Sequence, residues 1–369
     1  MNKAKLTEYL NEVVEASDGK ELLVKIFKDY KEIYSFEGGF RDAAKTEPSD
    51  IDDMFYIYSL TKPITCAAAM QLVERGLLDL NAPVKKYLPY FKDVKVKEGE
   101  KIVTPKSDVL VWQLFNMSAG FNYDTNAAYN EAVSAGLSTG ELFKETALRV
   151  PLSFHPGEHW QYACRNHEAI ACLIEEITGM PFYNYLNENI FTPLGMKHLR
   201  FTLDDYADRH LSDRFNFDTE NDCFIKVPKQ FCLGPTDKYQ SGGYGLICDI
   251  NDYEKFANAM ANLGIGANGN RILSEESCNL MRRDLLTDQN RKDYRLSGYD
   301  YGYGLGVRTL ISHDAGSKSP IGEYGWDGAA GSYALFDPEN RIAAVLFAHT
   351  LAGNKKLDHL KFRNLIYED

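Results

Sequence analysis

The spacing of apolar residues near the N terminus predicts a helix followed by two strands. Over residues 1–16, leucine and valine recur at the spacing of one helix face, which predicts an amphipathic helix. Residues 22–27 and 32–36 are short, strand-like segments joined by a polar turn. The chain is therefore expected to begin with a helix and a β-hairpin.

A different pattern begins where residues 54–58 form a short apolar run. From Leu60 onward, an alanine-rich apolar segment predicts a mostly buried helix that Gly76 ends. Pro63 is compatible with the first turn of that helix, because first-turn amides have no acceptor within the helix. Ser59 is thereby expected to lie where a strand-like run meets a buried helix.

The rest of the chain divides into a helical middle and a C-terminal third that contains strands. Residues 80–235 are predicted to be mainly helical with long loops, including a helix over residues 166–178. Residues 331–336 and 341–348 predict two strands around a turn, and residues 357–366 predict a closing helix. Strands thus fall at both ends of the chain, with helices between them.

This order predicts an α/β (α+β) fold in which both chain ends contribute to one antiparallel sheet. We expect a single domain over residues 1–369, with a sheet lobe from about 1–58 and 240–369 and a mainly helical lobe over about 59–239. Small-molecule sites tend to lie in a cleft between two such lobes. The candidate chemistry is therefore sought where the lobes meet.

The charge balance excludes several classes of partner. The 369 residues include 41 Lys and Arg against 53 Asp and Glu, which gives a formal net charge of −12. Because phosphate binding needs a basic face, nucleic acid and anionic membrane surfaces are not expected partners. A hydrophobic content of 44% is enough for a packed core. A small-molecule substrate is the expected partner, and the oligomeric state stays undetermined.

The cysteines and the N terminus bear on the compartment. The seven cysteines are scattered without a CxxC pair, so neither a disulfide framework nor a zinc ribbon is indicated. The first residues lack the apolar segment of a secretory signal, and no stretch of about 18 apolar residues occurs. These features predict a cytoplasmic protein without a membrane span.

The strongest candidate nucleophile is Ser59, because Lys62 follows it at the spacing of one helix face. A serine becomes nucleophilic when a neighbouring group removes its proton, and the start of a helix directs amides at developing negative charge. The same Ser-x-x-Lys spacing occurs at Ser17 and Lys20, where it is interpreted as turn polarity. The strand-like run before Ser59 and the helix after it favour Ser59.

Two further segments could contribute chemistry. Tyr162 stands between a loop and the helix predicted over residues 166–178, and its phenol could act as a base beside an ammonium group. The alternative is an ordinary half-buried tyrosine, one of 23 in the chain. The amide of Ala329, after Gly328, could donate to an oxyanion. The alternative there is a tight turn with Trp326 as core filler.

A metal site and a cysteine nucleophile are the weaker alternatives. His155, His159, Cys164 and His167 lie close in sequence and could suggest zinc. The sequence after His167, however, lacks a second histidine at the metalloprotease spacing. No metal and no organic cofactor are therefore expected. Cys164 is less favoured than Ser59 as the nucleophile.

Taken together in their order, several motifs resemble the serine β-lactamase and penicillin-binding-protein superfamily. The resemblance is closest to its class C-like branch, which contains family VIII-type carboxylesterases. It covers nearly the whole chain. Its motifs are residues 59–65, 71–80, 114–121, 156–179, 241–246 and 326–328. It implies a β-lactamase/transpeptidase-like fold and a serine hydrolase that forms an acyl-enzyme, most simply an esterase.

The resemblance also implies roles for individual residues. Ser59 is expected to be the nucleophile, with either Tyr162 or Lys62 as the base and the other group assisting. The backbone amides of Ser59 and Ala329 are expected to form the oxyanion hole. The expected lining of the substrate pocket is Tyr123, Cys164, Trp326, Asp327 and Gly328.

Three residues depart from the family pattern. Cys164 stands where the family's Tyr-x-Asn motif has asparagine, and Trp326 stands where β-lactamases and peptidases have a cation that binds the substrate carboxylate. Trp326 therefore favours an esterase, and Asp327 is expected to repel anionic substrates. Two alternatives stay open, a D-amino-acid peptidase or β-lactamase, and a catalytically weak binding or sensor protein.

Overall fold

The structure is a computed structural model of the chain, and it describes all but a few segments. The described residues are 1–122, 136–229, 236–294, 298, 300–351 and 356–368. Tyr123, which is predicted to line the substrate pocket, lies outside these residues. Within them, no helix combines the length and the apolar character that a membrane crossing needs.

The described residues form strands near both chain ends and, in smaller number, in the middle of the chain. In chain order the strands are β1 (Leu22–Lys28), β2 (Lys31–Gly38), β3 (Met54–Tyr56), β4 (Val96–Glu98), β5 (Lys101–Val103), β6 (Arg214–Asp218), β7 (Cys223–Val227), β8 (Ile247–Asp249), β9 (Tyr301–Tyr303), β10 (Arg308–Leu310), β11 (Tyr324–Asp327), β12 (Tyr333–Asp337), β13 (Ile342–Ala348) and β14 (Thr350–Leu351).

Most of the described helices lie between the first and the last strands. They are α1 (Lys3–Ala16), α2 (Thr61–Glu74), α3 (Val111–Phe115), α4 (Thr139–Arg149), α5 (Cys164–Thr178), α6 (Phe182–Leu186), α7 (Thr192–Leu194), α8 (Asp205–His210), α9 (Ile250–Ala261), α10 (Glu275–Met281), α11 (Asp288–Asp293) and α12 (His359–Ile366). Single turns of 3-10 helix occur at Tyr58–Leu60, Val84–Lys86 and Pro89–Asp93.

A seven-stranded antiparallel sheet joins the two ends of the chain. Its strand order is β2-β1-β13-β12-β11-β10-β9. The N-terminal strand β1 pairs with β13 in a register that sets Leu22 opposite Ala348 and Lys28 opposite Ile342. The predicted fold class, an antiparallel sheet built from both chain ends with helices around it, is confirmed.

The middle of the chain contains strands that the sequence pattern did not predict. β4 and β5 form one short hairpin, and β6 and β7 form another that pairs in parallel with β14. The partner of β6 is thus supplied from more than 130 positions away. The strands β4 to β7 have only three or five residues each, too few to show a clear alternation in the sequence. Residues 80–235 are therefore less helical than predicted.

The sheet buries different side chains on its two faces, because successive residues of a strand point in opposite directions. On the rear face, Leu346 of β13 and Tyr333 of β12 pack in a cluster with α1 and α12. On the front face, Phe347 of β13 and Trp326 of β11 join the main core with Phe55 of β3. Neighbouring residues of β11 therefore belong to two different environments.

One apolar core runs through both predicted lobes. The main buried cluster contains Leu23 and Phe347 from the sheet together with Leu72 from α2 and Leu173 from α5. A core that is shared in this way cannot be divided without exposing apolar surface. It supports our proposal that residues 1–369 form a single domain with a sheet lobe and a helical lobe.

A half-buried carboxyl group on α9 makes stability depend on pH. Glu254 lies near Lys25 of β1 and accepts a hydrogen bond of 2.5 Å from Asn258 Nδ2. Burial, the largest cause, raises the pKa of Glu254 from 4.5 to about 7. The folded state thus binds this proton more tightly than the unfolded chain, so stability falls as pH rises from about 4.5 to 7.

The substitution Glu254→Gln is expected to remove this pH dependence. At pH 7.5 the variant should melt about 2–4 °C above the wild type, and at pH 4.5 the two should melt together. Exposed Glu8 provides the control, and Glu8→Gln should follow the wild type at both values. Thermal unfolding by circular dichroism measures the difference, and equal melting of wild type and Glu254→Gln at pH 7.5 would contradict the expectation.

Candidate active site

Ser59 lies in a tight 3-10 turn between β3 and α2. The residue before it, Tyr58, has a φ of 48°, in the left-handed region that non-glycine residues seldom adopt and that often marks a functional site. Arg214 Nη1 donates a 2.9 Å hydrogen bond to the Tyr58 hydroxyl. The turn presents Ser59, which is 7% exposed, at the start of a buried helix.

Lys62 uses all three of its N–H donors in this site. Its side chain is fully buried, and Nζ donates to Ser59 Oγ at 2.9 Å, to the Gly243 carbonyl at 2.6 Å and to Cys164 Sγ at 3.4 Å. An ammonium group has three donors and no acceptor. The lysine is therefore fixed in one position against the serine, as the helical spacing predicted.

The surroundings of Lys62 favour its charged form. Burial by itself lowers the pKa of Lys62, but the nearby Cys164 and then Tyr162 outweigh it, and the pKa lies above its ordinary value of 10.5. The ammonium also lies 4.7 Å from the centre of the Tyr162 ring, a favourable cation–π distance. Lys62 is thus a positive charge at neutral pH.

Tyr162 completes a group of three polar side chains. Its phenolic oxygen lies 2.5 Å from Ser59 Oγ, a short hydrogen bond. It precedes α5 by two residues, and the amide of Gln161 donates to the Met117 carbonyl at 3.1 Å. This bond ties the loop before α5 to residues 114–121. The structure therefore brings Ser59, Lys62 and Tyr162 together from two separate parts of the chain.

The Gly243 carbonyl is a contact that the sequence argument missed. The sequence identified residues 241–246 only as one of the family's motifs and predicted no role for any of their atoms. A Cβ added at Gly243 would lie 2.8 Å from the Cβ of Cys164, so only glycine allows this strand of backbone to approach Lys62. The signal in the sequence is the adjacent pair Gly242 and Gly243. Such a pair indicates that another group lies close to the backbone there, but it does not identify that group.

The turn with the candidate oxyanion donor packs against the segment that leads to Ser59. Gly328 is buried, and its amide donates to Ser332 at 2.6 Å, whereas Ala329 at the tip of the turn is exposed. A Cβ added at Gly328 would lie 2.7 Å from the Ile57 carbonyl. Glycine therefore lets the turn that carries the Ala329 amide lie beside the residues just before Ser59.

Trp326 and Asp327 point to opposite faces of the sheet. Trp326 is 3% exposed and stacks on Tyr162, with ring centres 5.8 Å apart and an interplanar angle of 27°. Asp327 accepts a 2.9 Å hydrogen bond from Arg308 Nη1 on the rear face, beside a cavity of about 280 Å³ that is also lined by His359. Of the two, only Trp326 is placed with Ser59 and Tyr162.

The placement of Asp327 departs from the sequence-based expectation. Side chains alternate along a strand, so a carboxylate next to an inward-facing Trp326 must face away from the site. Its charge is paired with Arg308, which is 1% exposed. Asp327 therefore does not line the pocket with Trp326 and, contrary to what the sequence suggested, is not placed to repel an anionic substrate. Cys164, by contrast, is half-buried beside Lys62.

The histidines that suggested zinc do not converge. His155 Nε2 lies 3.1 Å from Glu98, and His159 Nδ1 lies 3.0 Å from Asp293. His167 is fully buried, and burial lowers its pKa well below the usual value. Among the described residues, the side chains close enough to share a metal ion are instead His198, Asp249 and Asp252.

That three-residue group has a structural role. Asp249 is the N-cap of α9, where its carboxylate accepts a 2.8 Å hydrogen bond from the Asp252 amide. The Asp252 carboxylate accepts bonds from the amides of Lys197 and His198. These contacts are those of a capped helix, and we assign no metal to the group.

Known proteins are similar to this chain in sequence and in architecture. The Beta-lactamase family profile matches residues 9–367. Esterase EstB of Burkholderia gladioli is 30% identical over 348 residues, which cover 86% of this chain and 83% of EstB. A putative D-alanyl-D-alanine carboxypeptidase of Salmonella typhi is 26% identical and covers 83% of this chain and 72% of its own.

A solved structure shows the same fold at lower identity. EstCE1, described as a hydrolase with promiscuous acyltransferase activity, superposes with a TM-score of 0.81 at 20% identity over 99% of each chain. With the profile match, this defines a serine hydrolase of the β-lactamase/transpeptidase fold. The chain belongs to the Beta-lactamase family. The predicted superfamily, fold and enzyme class are confirmed.

Proposed function

We propose that the protein is an esterase in which Ser59 is the nucleophile, Tyr162 the general base and Lys62 a fixed positive charge. The observation that carries this assignment is the position of Ser59 Oγ, 2.5 Å from the Tyr162 oxygen and 2.9 Å from Lys62 Nζ. A nucleophile within hydrogen-bond reach of a base, itself held by a third group, is the arrangement that activates serine.

The charge of Lys62 supports Tyr162 as the base. Because its pKa is raised, Lys62 keeps its proton at neutral pH and cannot accept another. An ammonium instead stabilises negative charge that develops beside it during the reaction. Tyr162 is therefore assigned as the base, and Lys62 stabilises the negative charge that moves between the tyrosine and serine oxygens.

The reaction then proceeds in two halves. The Ser59 hydroxyl gives its proton to Tyr162 as Oγ attacks the ester carbonyl, and the amides of Ser59 and Ala329 bind the oxyanion. Collapse of the intermediate breaks the C–O bond of the alcohol, and Tyr162 returns its proton to that oxygen. Water gives a proton to Tyr162 as it attacks the acyl-enzyme carbonyl. The bond to Ser59 Oγ then breaks, Tyr162 returns the proton to that oxygen, and the acid leaves with Ser59 and Tyr162 restored.

The charges around the site favour a neutral ester over an anionic peptide or β-lactam. Those substrates carry a carboxylate that needs a cation. Lys62 is buried with all three donors engaged, and Arg308 is buried on the rear face in contact with Asp327. Where the family's cation stands, this chain has Trp326, which carries no positive charge.

Relative turnover of three substrate classes tests the proposal. We expect kcat/KM for p-nitrophenyl acetate or butyrate to exceed that for nitrocefin, and for a peptide ending in D-alanyl-D-alanine, by at least about 100-fold, since a missing charge pair costs several kcal/mol. Ser59→Ala protein gives the background rate for each. Faster turnover of nitrocefin or the peptide would assign the enzyme to that class, and no turnover of any ester would indicate a binding protein.

A reducing compartment remains part of the proposal. Among the described residues, Cys66, Cys164, Cys172, Cys223, Cys248 and Cys278 are free thiols. Cys164 contacts the ammonium of Lys62, where oxidation would change the charge and size of a group in the site. This supports placement in the cytoplasm, with a small-molecule substrate as the partner.

A further inference from the structure

Trp326 is poorly placed to act as the apolar pocket wall that the sequence suggests. Only 3% of the residue is exposed, which leaves little ring surface for a substrate. Its ring lies against Tyr162 on one side, 5.8 Å between centres, and meets the edge of Tyr303 on another, at 5.0 Å and 69°. The indole is thus packed within the protein, behind the proposed base.

The polar atom of this indole points at the proposed base. Trp326 Nε1 donates to the phenolic oxygen of Tyr162 at 3.5 Å, at the long end of the hydrogen-bond range. An indole nitrogen is a donor only. The Tyr162 oxygen therefore lies between Ser59 Oγ and an N–H donor that has no charge.

We propose that Trp326 is a positioning residue that donates its indole N–H to the Tyr162 oxygen and thereby sets the pH range in which Tyr162 accepts the proton of Ser59. A donor directed at an oxygen favours the anionic form over the neutral one. This inference rests on the proposed function, in which Tyr162 is the base. In this proposal, the residue at the position of the family's cation, Trp326, interacts with the base Tyr162 and not with the substrate.

The strand that carries Trp326 is held from the rear. Asp327 binds Arg308 Nη1 at 2.9 Å, and Arg308 Nη2 donates to the Ala334 carbonyl at 3.0 Å. These bonds link β10, β11 and β12 across the rear face. A donor held in place before the reaction stabilises charge without the cost of reorganisation, and this is the role that we assign to the rear contacts.

The other titratable groups around Tyr162 come from other elements. Lys62 lies on α2, Cys164 begins α5, and Tyr303 lies on β9. Burial raises the pKa of Tyr303 well above its ordinary value, so this phenol stays neutral. A substitution at Trp326 leaves all three side chains in the protein and removes the indole N–H.

Trp160 provides a matched control for that substitution. Its ring also packs near Tyr162, with centres 6.4 Å apart and an angle of 34°, and it is 6% exposed. Its Nε1 atom, unlike that of Trp326, has no hydrogen-bond partner among the described residues. Trp160→Phe therefore removes an indole N–H from the same aromatic cluster, but this N–H makes no hydrogen bond to Tyr162.

The pH dependence of acylation tests the inference. The rate of fluorophosphonate labelling and kcat/KM for a p-nitrophenyl ester are measured from pH 5 to 10 for wild type, Trp326→Phe and Trp160→Phe. We expect Trp326→Phe to lose about tenfold at pH 7, the scale of a hydrogen bond to a charged group. Its acid limb should move about one unit to higher pH, while Trp160→Phe keeps the wild-type limb.

A second experiment keeps the indole ring at position 326 and therefore applies even if Trp326→Phe does not fold. Fluorinated tryptophan, whose N–H is a stronger donor, is incorporated into Trp160→Phe protein, where Trp112 and Trp326 are the remaining tryptophans. The acid limb should then move to lower pH.

The possible outcomes separate the inference from the proposed function. An unchanged acid limb in Trp326→Phe, or equal shifts in both phenylalanine variants, would overturn the inference and leave Ser59 and Tyr162 in their roles. In fluorotryptophan protein, a limb that does not move would also overturn it. If the wild type is not labelled at any pH, the proposed function fails, and the inference fails with it.

Discussion

Ser59→Ala protein is expected to show no labelling by a fluorophosphonate probe and a loss in ester hydrolysis of about 10⁴-fold or more, the scale at which removal of a nucleophile acts. The reason is geometric. Ser59 Oγ is the atom that both the Tyr162 oxygen and Lys62 Nζ contact, at 2.5 and 2.9 Å, and alanine leaves neither group anything to activate. In-gel fluorescence and initial rates measure the two effects.

The chain contains a matched control for this substitution. Ser17 and Lys20 have the same Ser-x-x-Lys spacing as Ser59 and Lys62, but Ser17 ends α1 and Lys20 Nζ binds Asp18 at 3.1 Å. Ser17→Ala protein should be labelled and should turn over esters as the wild type does. Labelling of Ser59→Ala at the wild-type rate would assign the nucleophile to another residue.

Tyr162→Phe is expected to lower kcat and the acylation rate by at least about 100-fold, the usual contribution of a general base. The variant keeps the ring that stacks on Trp326 and lies over Lys62, so its loss reports on the oxygen. In the wild type, Cys164 and Tyr162 raise the pKa of Lys62 above its ordinary value, so the proposal assigns no role as base to the lysine. Stopped-flow release of p-nitrophenol separates acylation from deacylation.

Tyr90→Phe serves as the control for Tyr162→Phe. Tyr90 packs against the main core, and its hydroxyl has no hydrogen-bond partner among the described residues. Its removal should leave kcat within about twofold of the wild type, as surface and remote substitutions commonly do. A Tyr162→Phe variant that acylates as fast as Tyr90→Phe would remove Tyr162 from the mechanism and return the role of base to Lys62.

Local features of the fold were predictable because their signals are local. The hairpin of β1 and β2 was expected at residues 22–27 and 32–36 and lies at Leu22–Lys28 and Lys31–Gly38. The helix expected from Leu60 to Gly76 runs from Thr61 to Glu74. Each of these elements depends on the periodicity of apolar residues within one short segment, and that periodicity can be read from the sequence.

Part of the candidate site was predictable for the same reason, and part was not. Ser59 and Lys62 lie three residues apart at the start of one helix, so helical geometry alone brings them together. Tyr162 is 103 positions further along the chain, and its placement followed only from the ordered family motifs. The Gly243 carbonyl was not predicted, because no rule of spacing tells which backbone oxygen a buried lysine will meet.

The sequence by itself determined the fold family, the Ser59–Lys62 pair and the net negative charge. The family follows from the resemblance of its ordered motifs to known proteins, the pair from helical spacing and the charge from composition, and none of these needs knowledge of distant contacts. Only the tertiary structure decided that Trp326 faces Tyr162 while Asp327 turns to Arg308. The direction of a side chain on a strand depends on the register with its neighbours and on which face is covered, and both are set by pairing between distant parts of the chain.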